Sequence, residues 1–208
     1  MIEYLRDPAE ITRRSFEVVR AECDLSPLSA AQGEVAVRMV HACGMTDILG
    51  DLSWSGAVVE AGAAALKAGA PVLCDARMVA EGITRAFLPA NNEILCPLQD
   101  EGVAESARRD GTTRSAAAVD LWRPHLEGAV VAIGNAPTAL FRLIEILQDG
   151  AARPAAILAF PVGFIGAAES KEALIEAQLG VPYVTLRGRR GGSALAAAAV
   201  NALALRNP

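Results

Sequence analysis

One of the two histidines of the chain, His41, is placed where an imidazole can exchange protons with a ligand. It falls in the last turn of a predicted helix that ends at Gly44. The negative end of a helix dipole favours the imidazolium, so this position suits a proton donor near neutral pH. Arg38, one turn earlier, opposes that charge, and a histidine at a helix end can also merely cap a carbonyl. We expect the other histidine, His125, to lie at the surface.

Ser15 and Arg114 are candidate ligand-binding residues because each has a polar or charged group that a ligand could stabilise in its predicted position. Ser15 shares a helical face with Ile11 and Val18 that we expect to be buried. A buried hydroxyl must bond either its own helix or a group in a pocket, and both interpretations stay open. Arg114 begins a predicted helix, where a cation opposes the dipole. An anion bound there would remove the conflict and accept bidentate hydrogen bonds.

Other polar residues follow predicted strands or helices. Thr84 and Arg85 occupy a turn, from which they either donate to a ligand or close the loop. Asp75 ends a predicted strand and is either a cleft carboxylate or, as we favour, the N-cap of the next helix. We expect residues 169–171 to form the exposed first turn of a helix and residues 189–190 to be solvated loop charges.

The N-terminal third of the chain is predicted to be helical. The segment from Asp7 to Glu10 is a capping box with proline at the first helical position. A second capping box, from Ser29 to Gln32, opens the helix that carries His41 and ends at Gly44. A third helix is expected over residues 56–68.

Beyond residue 70, short apolar runs alternate with helical stretches. The runs cover residues 72–74, 94–96, 129–133, 155–160 and 183–186. Uninterrupted apolar strands separated by helices are typical of a parallel sheet covered on both faces. We therefore predict an α/β fold with a doubly wound, parallel five-stranded sheet and a helical N-terminal extension.

Length and composition favour one domain spanning residues 1–208 and exclude several classes of function. The 208 residues are 52% hydrophobic and 21% charged, which excludes disorder. The net charge of -5 and an aromatic content of 4% argue against nucleic acid binding. We expect no signal peptide and no membrane-spanning segment, and four cysteines without a CxxC pair favour a reduced, cytoplasmic protein. Two histidines cannot build a multi-histidine metal site.

The turns after the predicted strands are rich in Gly, Asn, Ser and Thr, and ligands of such sheets bind beyond the carboxyl ends of the strands. Their backbone N–H groups would favour an anion at a helix N-terminus. None of the turns has the GxGxxG or P-loop pattern, so a nucleotide is not indicated.

Five segments of the chain occur together, and in the same order, in one known family. They are MVHACG (39–44), LKAGAPVLCD (66–75), GNAPTAL (134–140), PVGFIGAAESK (161–171) and RGRRGGS (187–193). With these segments the chain resembles the precorrin-8X methylmutases, isomerases of corrin-ring assembly in cobalamin biosynthesis. The likeness extends over nearly the whole sequence.

The resemblance implies a flavodoxin-like fold and a homodimer with active sites near the subunit interface. It implies that a methyl group migrates from C-11 to C-12 of precorrin-8X to give hydrogenobyrinate, with His41 as the catalytic proton donor and acceptor. The substrate-binding residues implied by the motifs are Ser15, Arg38, Thr84, Arg85 and Arg114. Because a methyl shift around a conjugated ring can be concerted, we expect no metal, flavin or nucleotide cofactor.

Three alternatives remain open at this point. The same migration could act on cobalt-precorrin-8, although the VHACG segment resembles the metal-free branch more closely. A corrinoid-binding protein without turnover would need the same arginines but no acid at His41. A nucleotide-binding flavodoxin-like module is disfavoured by the absence of a phosphate-binding pattern.

Overall fold

The computed structural model describes residues 2–206, which fold into nine α-helices around a six-stranded sheet. The helices are α1 (Pro8–Glu22), α2 (Ala30–Cys43), α3 (Val58–Lys67), α4 (Arg77–Gly82), α5 (Val103–Arg109), α6 (Arg114–Asp120), α7 (Pro137–Gln148), α8 (Ala167–Glu176) and α9 (Ser193–Ala204). The strands are β1 (Leu52–Ser55), β2 (Val72–Cys74), β3 (Ile94–Leu95), β4 (Val130–Ile133), β5 (Ala156–Ala159) and β6 (Tyr183–Leu186).

All five predicted strands are present, and they are mutually parallel in the order β3-β2-β4-β5-β6. Numbered among themselves, they have the order 2-1-3-4-5 of flavodoxin-like sheets. The direction of winding reverses between β2 and β4. The α/β class and the doubly wound parallel arrangement are therefore confirmed.

The sheet has one strand more than predicted. Strand β1 pairs antiparallel with β6 at the sheet edge, with Leu52 opposite Leu186 and Trp54 opposite Val184. The segment Leu52–Ser55 alternates apolar residues with serine and is half-buried throughout. It therefore lacks the continuous apolar run that reveals a central strand.

The side chains of alternate residues in the central strands pack into two separate cores, one on each face of the sheet. In β4, Val130 and Ala132 face the core formed with α2, α3, α4 and α9. Val131 and Ile133 face the core formed with α6, α7 and α8. Both faces of the sheet are thus covered, as the apolar strands predict.

The predicted helix starts and the predicted end of α2 are confirmed, but the capping box predicted from Asp7 to Glu10 is only half formed. The Glu10 carboxylate accepts from Arg13 and Arg14 of its own helix and does not complete the box. The Asp7 side chain accepts a hydrogen bond from the Glu10 N–H (2.8 Å) at the start of α1. At the start of α2, Ser29 and Gln32 form a reciprocal capping box. Helix α2 ends where Gly44 adopts the left-handed conformation with φ of 68°.

The expected buried face of α1 is wrong in part. Ile11 and Val18 are 43% and 54% exposed, and only Val19 of this helix is fully buried. The reason is that α1 packs mainly against one neighbouring helix, α2, so a single row of its side chains is covered. Ser15 lies at the margin of that row and is half-buried.

The expectation of an exposed first turn over residues 169–171 is also wrong. Ser170 and Lys171 are both 0% exposed, because this side of α8 faces the turns that follow β5 and β6. No helix within residues 2–206 is both long and apolar enough to cross a membrane.

Candidate active site

His41 and Ser15 meet between α1 and α2. The Ser15 hydroxyl oxygen lies 2.7 Å from Nδ1 of His41, although the two residues are 26 positions apart. The ring of His41 is exposed, since it stands on the last turn of α2 just before Gly44. With Nδ1 engaged by Ser15, Nε2 is the ring atom available to a ligand.

A third side chain, Phe16, connects this pair to Arg38. The Phe16 and His41 rings are 5.2 Å apart and nearly perpendicular, which is a favourable edge-to-face contact. The Arg38 guanidinium carbon lies 5.1 Å from the Phe16 ring centre, in cation–π geometry. Burial lowers the pKa of Arg38 below its ordinary value, but an arginine keeps its charge at any physiological pH. Sequence reasoning missed Phe16, whose only signal is that it follows Ser15.

His41 borders two surface grooves. One, of about 350 Å³, runs between α1 and α2 past Ser15 and Gly44. The other, of about 300 Å³, lies between α2, α4 and α9 and is lined by Arg38 and by three alanines of α9. A larger cavity of about 520 Å³ along α3 contains none of the predicted site residues. An imidazole is therefore accessible from both sides of its helix.

Thr84 and Arg85 lie in the turn that continues from Gly82, which lines the second groove. Asn201 of α9 fixes this turn: its Oδ1 accepts from the Thr84 N–H (2.9 Å), and its Nδ2 donates to the Gly82 carbonyl (3.1 Å). Both Thr84 and Arg85 are exposed. Asn201 was not predicted, because a lone asparagine late in a helix carries no sequence signal of a partner 117 residues away.

Arg114 is not brought together with His41 within one chain. It opens α6, which packs on α7 in the core on the other face of the sheet. The preceding Thr113 caps α6 by accepting from the Ala116 N–H (3.2 Å), and its hydroxyl pairs with that of Thr138 at 2.7 Å. Arg114 is exposed at this helix start, as predicted.

Three of the predicted arginines have free charges. Arg38, Arg85 and Arg114 form no ion pair with a carboxylate anywhere in residues 2–206. By contrast Arg190, expected to be a solvated charge, is half-buried and pairs with Asp47 and Asp51. Unpaired guanidinium groups are suited to bidentate binding of carboxylates brought by a ligand.

Asp75 has neither of the two predicted roles. It is 3% exposed, and the N-cap residue of α4 is Ala76, with no side-chain hydrogen bond that caps the helix. Its carboxylate instead accepts from the backbone N–H groups of Gly134, Asn135 and Ala136 at 2.7–3.0 Å. Burial raises the pKa of Asp75, although these three bonds act to lower it. The carboxylate thus occupies the turn between β4 and α7, beside the point where the winding of the sheet reverses.

No group of three or more His, Cys, Asp or Glu residues within 2–206 is arranged to hold a metal ion. The fold and the site together define an α/β protein of flavodoxin-like strand order. At its surface an accessible imidazole shares a groove with the guanidinium group of Arg38, which has no ion pair within residues 2–206. The turn at the point where the winding reverses is occupied by the carboxylate of Asp75.

Comparison with known proteins shows which family this α/β protein belongs to. The model of the precorrin-8X methylmutase family matches residues 10–206. The chain belongs to that family.

Similar proteins cover nearly the whole chain. A protein of Pseudomonas aeruginosa named precorrin-8X methylmutase is 59% identical over 98% of both chains. A protein of Priestia megaterium named cobalt-precorrin-8 methylmutase is 35% identical over 95% of this chain and 88% of its own. A crystal structure of the Thermus thermophilus precorrin-8X methyl mutase superposes with a TM-score of 0.86 at 40% identity, over 94% of each chain.

Proposed function

We propose that the chain is an isomerase that moves a methyl group from C-11 to C-12 of precorrin-8X and releases hydrogenobyrinate. The observation that carries the proposal is the pairing of Ser15 with His41 at the edge of two grooves. One of these grooves is lined by Arg38, which has no ion pair within residues 2–206. The name and the 59% identity of the Pseudomonas aeruginosa protein support the choice of substrate.

His41 supplies a proton and takes it back. As the bond from C-11 to the methyl carbon breaks and the bond to C-12 forms, electrons redistribute through the conjugated ring. We assign to Nε2 the donation of a proton, or a hydrogen bond, to a ring atom beside the migrating centre, and its recovery as the new conjugation forms. Substrate and product are isomers, so no net proton is consumed.

Ser15 suits both states of this cycle. Its hydroxyl oxygen accepts from the Nδ1–H group of the imidazolium before Nε2 gives up its proton. It accepts in the same way from the neutral imidazole that remains, because that ring carries its hydrogen on Nδ1. Ser15 therefore holds the ring orientation without fixing its charge. Phe16, packed edge-on against His41, restricts ring rotation in the same way.

Arg38, Arg85 and Arg114 bind the acetate and propionate groups of the macrocycle. Within residues 2–206 these three guanidinium groups form no ion pair with a carboxylate, so binding a polyanion breaks none of the ion pairs in that part of the chain. Thr84 adds a hydroxyl at the rim of the same groove as Arg38. An acidic chain with net charge -5 thereby keeps a local cationic surface.

The active unit in this proposal is a cytoplasmic homodimer of a single-domain chain, with active sites near the subunit interface. Two observations support a second copy. The apolar side chains of Ile11 and Val18 are exposed next to Ser15, and Arg114 lies on the other face of the sheet from His41. A partner subunit can cover the first two and bring the third to a neighbouring site.

The alternative substrate is cobalt-precorrin-8, after which the Priestia megaterium relative is named. The higher identity to a protein named for the metal-free substrate favours precorrin-8X. Purified protein assayed on both substrates separates the two, and a higher kcat/KM on the cobalt compound would reverse the assignment.

The test of the function itself is the absorbance change on mixing purified protein with precorrin-8X. The methyl shift alters the ring conjugation, so we expect conversion of one chromophore spectrum into another with catalytic amounts of protein. A shift that saturates at one equivalent of protein per ring and yields no hydrogenobyrinate would instead indicate a corrinoid-binding protein without turnover.

A further inference from the structure

Lys171 is a fully buried lysine in a chain whose basic residues are nearly all arginines. Of the 19 Lys and Arg residues only Lys67 and Lys171 are lysines. Lys67 is exposed, whereas Lys171 is 0% exposed. An ammonium in the protein interior is strongly unfavourable unless hydrogen bonds replace its water, so this position requires an explanation.

The ammonium of Lys171 bonds two backbone carbonyls from different turns. Nζ donates to Pro161 (3.1 Å), the residue that ends the run from β5, and to Arg190 (2.6 Å) in the turn after β6. No carboxylate within residues 2–206 forms an ion pair with it. Lys171 therefore stabilises the arrangement of two turns rather than a charge pair.

These two turns are in direct contact elsewhere as well. The Gly163 N–H donates to the Arg189 carbonyl (3.2 Å), and the Gly192 N–H donates to the Phe160 carbonyl (2.8 Å). Gly191 lies so close to the β5 turn that a Cβ there would stand 2.5 Å from the carbonyl oxygen of Pro161. Lys171 thus closes a set of backbone contacts that joins the carboxyl ends of β5 and β6.

The joined turns present an apolar and cationic surface to solvent. Phe164 and Ile165 are 82% and 88% exposed, and the Arg189 guanidinium carbon lies 5.1 Å from the Phe164 ring centre. Arg189 forms no ion pair within residues 2–206, whereas its neighbour Arg187 pairs with Glu172. A ring face beside a free guanidinium matches a flat macrocycle fringed with carboxylates.

The same turns are continuous with the groove beside His41. Helix α9 starts at Ser193, immediately after Gly192, and its next residue, Ala194, lines that groove. The Arg190 carbonyl held by Lys171 therefore lies three residues before the first residue of the helix that forms one groove wall.

We infer that Lys171 is a positioning residue for substrate binding: by tying the turn after β5 to the turn after β6, it aligns Phe164 and Arg189 with the groove beside His41. There Phe164 packs against the ring face and Arg189 binds one carboxylate side chain of the substrate. The inference rests on the proposed function and adds two contact residues and their buried support.

The charge state of Lys171 is consistent with this role. Burial lowers its pKa to about 8, and the opposing charge of Glu172 is itself paired with Arg187. The other charges on these turns are Arg189 and Arg190, the latter paired with Asp47 and Asp51. At neutral pH the amine is charged, so both carbonyl bonds are charge-assisted.

Steady-state kinetics of three variants test the inference. We expect Lys171→Met and the surface variant Arg189→Met each to raise KM for precorrin-8X about tenfold or more, with kcat within about threefold of the parent. Lys67→Met, the matched exposed lysine, should leave both constants unchanged. A parental KM in folded Lys171→Met, or in Arg189→Met, overturns the inference.

A spectroscopic test avoids the risk that Lys171→Met fails to fold. Protein labelled with ¹⁵N in lysine has only two side-chain Nζ signals, and the exposed Lys67 serves as the internal reference. On saturation with hydrogenobyrinate we expect the Lys171 signal to shift and the Lys67 signal to stay. If the product binds and the Lys171 signal does not move, the inference fails while the proposed function stands. If the parent protein neither binds nor converts the macrocycle, the proposed function fails first.

Discussion

The Ser15 hydroxyl and Nδ1 of His41 share one hydrogen bond of 2.7 Å between two helices. This bond decides which ring nitrogen meets a ligand, because it occupies Nδ1 and leaves Nε2 facing outward. It also couples the ring to α1, a helix whose other apolar side chains are largely exposed. The catalytic geometry therefore depends on how firmly α1 stays packed on α2.

Removal of the imidazole should abolish conversion while leaving the macrocycle bound. We expect His41→Ala to lower kcat by about 10²- to 10⁴-fold, the usual contribution of a positioned acid or base. The dissociation constant of hydrogenobyrinate should stay near the parental value, since the guanidinium groups remain. The control is His125→Ala, the other histidine of the chain, which should be fully active. Turnover of His41→Ala at the parental rate would refute the acid role.

Loss of the Ser15 hydroxyl should have a smaller effect of the same kind. We expect Ser15→Ala to lower kcat by roughly five- to tenfold, because one hydrogen bond that orients the ring contributes about 1 kcal/mol. The matched control is Thr12→Ala, which removes a hydroxyl of the same helix that bonds only the Pro8 carbonyl. Equal activities of the two variants would show that Ser15 does not orient His41.

Mixing two inactive variants tests whether Arg114 acts across a subunit interface. Refolded mixtures of His41→Ala with Arg114→Met contain hybrid dimers in which one of the two sites has both residues intact. Random pairing should then restore about a quarter of the parental activity. Each variant refolded alone is the control. A mixture as inactive as its components, with hybrid dimers present, would contradict a shared site.

The buried amine predicts how stability changes with pH. Burial lowers the pKa of Lys171 from 10.5 to about 8, so the unfolded chain binds more protons than the folded one between these values. Stability from this group therefore rises with pH through that window, by up to about 3 kcal/mol. Urea unfolding measures the free energy of unfolding of the parent and of Lys171→Met across this window. Cysteines titrate in both proteins and cancel in the comparison, so we expect the difference, parent minus variant, to rise with pH. A pH-independent difference would disprove the assignment.

Two glycine-to-alanine substitutions should have opposite effects on stability, because one glycine lies against backbone atoms and the other lies in a helix with free space beside it. In Gly191→Ala the new Cβ would overlap carbonyl oxygens of Phe160 and Pro161, neither of which can yield without moving the turn. We expect a loss of about 1 to 3 kcal/mol in the free energy of unfolding. Gly33→Ala in α2 meets no atom within 4 Å and should instead gain about 0.5 to 1 kcal/mol. Thermal unfolding should show a lower melting temperature than the parent for Gly191→Ala and a higher one for Gly33→Ala.

The parallel strands could be predicted from sequence because a strand that is buried on both faces has apolar residues at consecutive positions. Strands β4 and β5 are buried at every residue, so their sequences are continuous apolar runs. Strand β1 could not be predicted, since its stability comes from pairing with β6 rather than from its own composition. The short α5 was missed for a similar reason: it is mostly polar and only Val103 and Ala107 are buried.

For the site, sequence identified residue types but not their partners. His41 was recognisable from its place before Gly44, whereas its bond to Ser15 depends on the crossing of α1 and α2. Asp75 and Lys171 were misread because their partners are backbone groups of remote turns. A carboxylate or amine bonded to main-chain atoms leaves no complementary residue type in the sequence.

Asp75 also has a consequence for selectivity against small cellular metabolites. Inorganic phosphate and nucleotides are attracted to the open N-terminus of a helix, and sheets of this topology commonly offer one. Here the amide hydrogens of residues 134–136, in the turn before α7, already have an intramolecular acceptor in the Asp75 carboxylate. A phosphate would have to displace this carboxylate to bind the turn between β4 and α7, so the proposed macrocycle has fewer small anions as competitors there.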